Sequence, residues 1–121
     1  MGLLHYIRQR VRSFGYAFRG IYFLISGTPH ARLHLLATAV VAGLGWYCGV
    51  RTGEWALLLL AMGLVWAAEG FNSALETLAD RVSTEQHPLT GRAKDLAAGA
   101  VLLAAIFAAG VGLLVFLPHL F

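Results

Sequence analysis

Between positions 69 and 80 five of the polar side chains, three of them carboxylates, share a spacing: Glu69, Asn72, Ser73, Glu76 and Asp80. An α-helix advances about 100° per residue, which puts all five within about 60° of Glu69 around its axis. Leu75, Leu78 and Ala79 point elsewhere. The stripe continues an apolar run, Trp55 to Ala68, that reads as membrane-embedded. An ionisable residue at membrane depth is costly and by default marks a function. The plainer reading is a helix that leaves the bilayer and solvates its polar side, and it suits Asp80 better than Glu69. Carboxylates can hold a magnesium ion that bridges to phosphates. A carboxylate beside a hydroxyl can take its proton, and basic side chains such as Arg92 and Lys94 can neutralise phosphate charge. The stripe therefore puts a candidate base at headgroup depth and candidate metal ligands nearer water. A lipid hydroxyl and a soluble phosphate donor would meet along it. A proton- or cation-coupled transporter with Glu69 as its coupling carboxylate would use similar residues, and a non-catalytic lipid-binding membrane protein is a third reading.

The elements that must position this stripe follow from composition and periodicity. The chain has 121 residues, 59% hydrophobic and 12% charged, with a mean hydropathy of +0.71. A small soluble domain has too little interior to hide that much apolar side chain. The expectation is an all-α membrane protein forming one domain, residues 1–121. Cys48 is the single cysteine, which excludes an intramolecular disulfide framework and a cysteine-based zinc site. Arg8, Arg10, Arg12, Arg19 and Arg32 occur in the first 32 residues without an acidic neighbour, a pattern suited to the anionic cytoplasmic face of a membrane. No solvated basic domain remains once the apolar segments are removed, so nucleic acid is not an expected partner.

Leu3, Leu4, Ile7, Val11, Phe14, Phe18, Ile21 and Ile25 recur at steps of three and four, while Arg8, Arg12 and Arg19 lie opposite. Residues 1–30 are expected to be an amphipathic surface helix and turn. Arginines interrupt the segment too often for a signal peptide. The breaker cluster Ser26 to His30 turns the chain. Spans are expected at 33–50, 55–80 and 96–117, with a tight turn at Arg51–Glu54 and the largest loop from Arg81 to Lys94. Pro118 is expected to follow the last span. Arginine and lysine placement puts the N-terminus and that large loop in the cytoplasm. Glu69, six residues before Leu75, then lies about 9 Å below the inner surface. Small residues from Ala97 to Gly110 keep the third span narrow, which permits close helix approach and self-association.

Standard nucleotide-binding loops are absent. Lys94, the only lysine, follows Ala93 rather than a glycine, and no G-x-G-x-x-G opens a helix. Instead Glu69-x-x-Asn72-Ser73-x-x-Glu76-x-x-x-Asp80, followed by His87 and Gly91-Arg-Ala-Lys94-Asp95, closely resembles the small bacterial integral-membrane diacylglycerol kinases and their undecaprenol kinase relatives. Gly15-Tyr16-Ala-Phe-Arg19-Gly20 and Arg32 match as well, so the resemblance spans nearly the whole chain. It implies an ATP- and magnesium-dependent lipid kinase acting as a homotrimer, with sites between subunits. By that resemblance Glu69 is the general base and Glu76 a metal ligand. Tyr16, Asn72, Glu76, Asp80, Glu85, His87, Lys94 and Asp95 would surround the nucleotide, and Arg32, Glu69 and Ser73 the acceptor lipid. Many members carry an acidic metal ligand where this chain has Thr28. Pro29-His30-Ala31-Arg32-Leu33-His34, with His87-Pro88, looks more like the undecaprenol kinase side.

Several residues carry plainer readings. His30 and His34 are four apart, the spacing of a metal pair, but ordinary interfacial hydrogen bonding accounts for them as well. His5 and His119 are expected as solvated terminal groups. Trp46, Trp55 and Trp66 are expected in an interfacial belt or in packing.

Overall fold

A computed structural model describes residues 2–82 and 87–121. Among these the chain is helical almost throughout: α1 (Leu3–Gly27), α2 (Ala31–Cys48), α3 (Thr52–Val82) and α4 (Pro88–Leu120). The N-terminal end of α3 meets the C-terminal end of α4 through Glu54 and His119. The opposite ends meet through Asp80 and Lys94. These two helices are therefore an antiparallel pair. Helix α2 runs antiparallel to α3 by the same logic, with Thr38 against Trp66 and Gly45 against Trp55.

The ends of the helices have local causes. Helix α2 stops because Gly49 adopts a left-handed conformation (φ 62°), and the N–H of Val50 closes back on the carbonyl of Gly45 at 3.2 Å. Helix α3 starts where the Glu54 carboxylate accepts the backbone N–H of Arg51 at 3.1 Å, half of a capping box. Thr52, Gly53 and Glu54, expected in a turn, thus already belong to the helix. The expected loop from Arg81 to Lys94 is corrected more strongly. Arg81 and Val82 complete α3, and residues 88–94 are the first two turns of α4. Pro88 lacks the N–H that a first-turn residue would leave unsatisfied anyway, and its ring presets a helical φ. His87 Nδ1 accepts the N–H of Leu89 at 3.1 Å as the cap. Pro118, expected beyond the span, lies inside the last turn, where Phe121 N–H still reaches the Leu117 carbonyl at 3.0 Å.

A small core of Val50, Leu58, Val115 and Phe116 closes the end of the bundle remote from Glu69. Gly45 makes it possible: a Cβ there would sit 2.6 Å from the Trp55 ring. Elsewhere large apolar side chains face outward, among them Trp46 at 85% exposure and Leu114 at 80%. Water would not tolerate that surface, whereas lipid tails are as apolar as the side chains themselves. Three helices, α2, α3 and α4, are long and apolar enough to cross a bilayer. The chain is a helical membrane protein.

Candidate active site

Glu69 is the largest fully buried side chain among the described residues, 1% exposed, where α2 enters the bundle and passes over α3. A buried carboxylate needs partners, or its desolvation goes uncompensated. His34 of α2 supplies one, with Nε2 at 3.3 Å from Oε2. The hydroxyl of Ser73, one turn along α3, donates to Oε1 at 3.5 Å. His30 Nδ1 stands 4.0 Å from the same Oε1. Behind His34, Trp66 Nε1–H donates to Thr38 Oγ1 at 2.9 Å, and the Thr38 hydroxyl donates to the His34 carbonyl at 2.7 Å. The indole also lies against the imidazole, their ring centroids 5.6 Å apart.

Further along the stripe, Asn72 is buried and donates through Nδ2 to Glu76 Oε1 at 3.4 Å. Among the described residues its Oδ1 is buried without a partner. Glu76 is half-buried and lines a cleft of about 1280 Å³ between α1 and α3, together with Thr28, Ser73, Thr77 and Arg81. Thr28, which lines the cleft, donates its hydroxyl hydrogen to the Leu24 carbonyl at 2.8 Å, so its oxygen can act toward a ligand only as an acceptor. At the rim, Lys94 of α4 is hydrogen-bonded to Asp80 of α3. The Asp80 hydrogen bond, reinforced by the charges of Asp80 and Glu76, holds the Lys94 amine above its ordinary 10.5.

The expected site residues thus divide into three groups. Glu69 and Ser73 form the deep cluster, Asn72 and Glu76 the middle one, and Asp80 and Lys94 the rim. Tyr16 is exposed, with the Arg19 guanidinium over its ring at 5.8 Å. Arg32 and Asp95 are exposed as well, and among the described residues no hydrogen bond or ion pair joins Tyr16, Arg32 or Asp95 to these clusters. His87 spends Nδ1 on the α4 cap. Glu85 lies outside the described residues. His34, Thr38 and Trp66 were not expected as supports of Glu69. A signal was present, since Trp66 sits three residues before Glu69 on the same side of α3. His119, expected to be solvated, instead clasps both oxygens of Glu54 at 3.2 and 3.0 Å.

Fold and site together define a small helical membrane protein in which a buried carboxylate leads, along one helix stripe, to an ion-paired rim. Residues 15–116 match the family described as prokaryotic diacylglycerol kinase. The chain is 35% identical over 109 residues to the undecaprenol kinase of Bacillus subtilis (strain 168), covering 90% of this chain and 89% of that one. It is 32% identical over 98 residues to the diacylglycerol kinase of Escherichia coli (strain K12), covering 81% and 80%. Similarity to the diacylglycerol kinase of Haemophilus influenzae (strain ATCC 51907 / DSM 11121 / KW20 / Rd) is 33% over 103 residues, covering 85% and 84%. The chain belongs to the prokaryotic diacylglycerol kinase family, and by that membership it is a lipid kinase.

Proposed function

We propose that this chain transfers the terminal phosphoryl group of ATP to the hydroxyl of a membrane lipid alcohol, undecaprenol or diacylglycerol, at the cytoplasmic face of the inner membrane. The observation that carries this reading is the Glu69 carboxylate, buried and tethered at one end of the ionic stripe. Glu69 takes the hydroxyl proton as the lipid oxygen attacks the phosphorus, and the bond from phosphorus to ADP breaks. Ser73, which donates to Glu69, orients the acceptor side together with Arg32. Lys94, positioned by its ion pair with Asp80, draws the phosphates of the nucleotide to the rim. Asn72, Asp80, Glu85, His87, Asp95 and Tyr16 complete the nucleotide's surroundings. Both acceptors are represented among the relatives, and the His30 to His34 and His87-Pro88 signatures make undecaprenol the first to test.

The residues present fit a magnesium ion. Their donors are oxygens only: the Glu76 carboxylate, the Thr28 hydroxyl on the same cleft, and the unpartnered Asn72 Oδ1. Among the described residues no three histidine, cysteine or acidic side chains converge as a cage. Magnesium usually needs only one or two carboxylates plus substrate phosphates and water, so Glu76 with ATP suffices. When bound, it would neutralise phosphate charge.

Residues 1–121 act as one unit in this reading, with α1 lying on the cytoplasmic surface and its N-terminus inside. The working form is a homotrimer whose sites lie between subunits. Coupled transport is not favoured, because it gives no role to the Asp80–Lys94 pair at the rim. The test is purified protein in mixed micelles with ATP, magnesium and a panel of lipid alcohols, beside Glu69→Gln. The wild type should form a lipid phosphate. Glu69→Gln keeps the shape and loses the basicity, so turnover should fall about 100-fold or more with nucleotide binding intact. Near-normal turnover in that variant would remove Glu69 from the role.

A further inference from the structure

We infer that His34 is a positioning residue that tethers one oxygen of Glu69, so that the other oxygen is the one that takes the acceptor's proton. The inference rests on the reading of Glu69 as the base. An ionised carboxylate can only accept hydrogen bonds, so the ring nitrogen facing it must carry a hydrogen. His34 therefore presents Nε2–H to Oε2 at 3.3 Å, and this nitrogen is committed to Glu69 rather than to a metal pair with His30. Oε1 faces the other way, toward the Ser73 hydroxyl at 3.5 Å and His30 Nδ1 at 4.0 Å. Ser73 in turn lines the open cleft between α1 and α3, the route by which a headgroup can approach. The two oxygens thus have different surroundings: Oε2 meets the His34 imidazole, whereas Oε1 meets Ser73, which itself lines the cleft.

The imidazole is itself held. Its side chain is only 12% exposed. It also borders a mostly apolar cavity of about 380 Å³ with Ala37, Val65 and Trp66, in which the Thr38 hydroxyl is the one side-chain oxygen among the described lining residues. That hydroxyl is already engaged between the Trp66 indole and the His34 carbonyl. This brace of hydrogen bonds ends on the His34 backbone carbonyl, so what it holds is the Trp66 indole, and the indole packed against the imidazole limits the His34 rotamer. During transfer the acceptor's proton moves to Oε1 while the oxygen–phosphorus bond forms and ADP departs with the electron pair. His34 keeps its own proton throughout.

The experiment compares His34→Leu, His34→Gln, Glu69→Gln and the double variant His34→Leu/Glu69→Gln as purified oligomers in mixed micelles with magnesium, ATP and the preferred lipid. His34→Leu should lower kcat about 10- to 100-fold, with the KM for ATP within about twofold of wild type. Glutamine puts an amide N–H where Nε2 was, so His34→Gln should recover kcat to within about fivefold of wild type. The double variant should be no slower than Glu69→Gln, because His34 acts only through Glu69. Unchanged kcat in His34→Leu, equal losses in the leucine and glutamine variants, or additive losses in the double variant would each overturn the inference. If His34→Leu does not fold, Trp66→Phe decides: it keeps the ring and deletes the donor to Thr38. A kcat about 3- to 10-fold lower with unaltered KM for ATP supports the brace, and an unaltered kcat refutes it. Near-normal Glu69→Gln sinks the base reading itself, whereas an inactive Glu69→Gln beside a fully active His34→Leu sinks only the role of His34.

Discussion

Thr28, at the C-cap of α1, and Glu76 of α3 face one cleft, but they are unequal as donors. A carboxylate brings charge and two oxygens, while Thr28 brings a neutral oxygen whose hydrogen is already given to the Leu24 carbonyl. Magnesium tolerates this because it retains waters and takes phosphate oxygens into its shell. Magnesium should therefore arrive mainly with ATP and bind the free protein poorly. Titrating magnesium at fixed ATP should find Thr28→Ala close to wild type and Glu76→Gln severely impaired. Thr28→Glu should shift half-saturation to lower magnesium. If Thr28→Ala were as damaging as Glu76→Gln, the threonine would be a true ligand, and the picture of a site completed by ATP and water would fail. The family resemblance made this pair of positions legible in the sequence. The relative burial of their partners, above all the orphaned Asn72 Oδ1, was not.

The helices are pinned to one another at their ends. Outside the apolar span, the Glu54 carboxyl is held below its ordinary 4.5, first by the backbone N–H of Arg51 and then by His119. A carboxylate whose folded pKa is depressed adds stability that is fully present above its unfolded value and is lost as pH falls through the folded one. Thermal unfolding in detergent should thus show a drop in Tm as pH is lowered below 4.5, and Glu54→Gln should flatten that part of the profile. An identical acid slope in the variant would assign it to other carboxylates. In the middle of the α2–α3 contact the constraint is steric. Gly45→Ala would drive a methyl to 2.6 Å from the Trp55 ring, so it should destabilise by about 1–3 kcal/mol, the usual cost of overpacking. Pairing it with Trp55→Leu should restore most of the loss, measured as Tm. An unaffected Gly45→Ala variant would mean that the ring moves aside freely.

At the scale of the whole molecule, most large apolar side chains of α2, α3 and α4 face outward. Only part of that surface needs lipid, and the small residues along α4 allow close approach of a second chain. A site shared between protomers should be revealed by mixing. Inactive Glu69→Gln subunits combined with inactive Lys94→Ala subunits should recover part of the activity if the two residues act from different chains. Absence of recovery across mixing ratios, with mixed oligomers demonstrated, would favour a site contained in one chain.

By itself the sequence determined the class and the stripe, because both are local. Hydropathy over about 20 residues marks a span, and the 100° advance of a helix aligns Glu69, Asn72, Ser73, Glu76 and Asp80 whatever surrounds them. The start of α4 was legible in principle, yet Pro88 reads equally as a loop breaker, and only the His87 cap distinguishes the two. Tertiary structure alone decided which residues meet. His34 and Glu69 are 35 positions apart, and His119 and Glu54 are 65 apart. Those meetings depend on how each helix is rotated and offset against its neighbours. In a soluble protein the polar face of a helix announces its rotation. In a bilayer the outer and inner faces are both apolar, so hydropathy carries no such mark, and the support of Glu69 by His34, Thr38 and Trp66 emerges only when α2 is laid against α3.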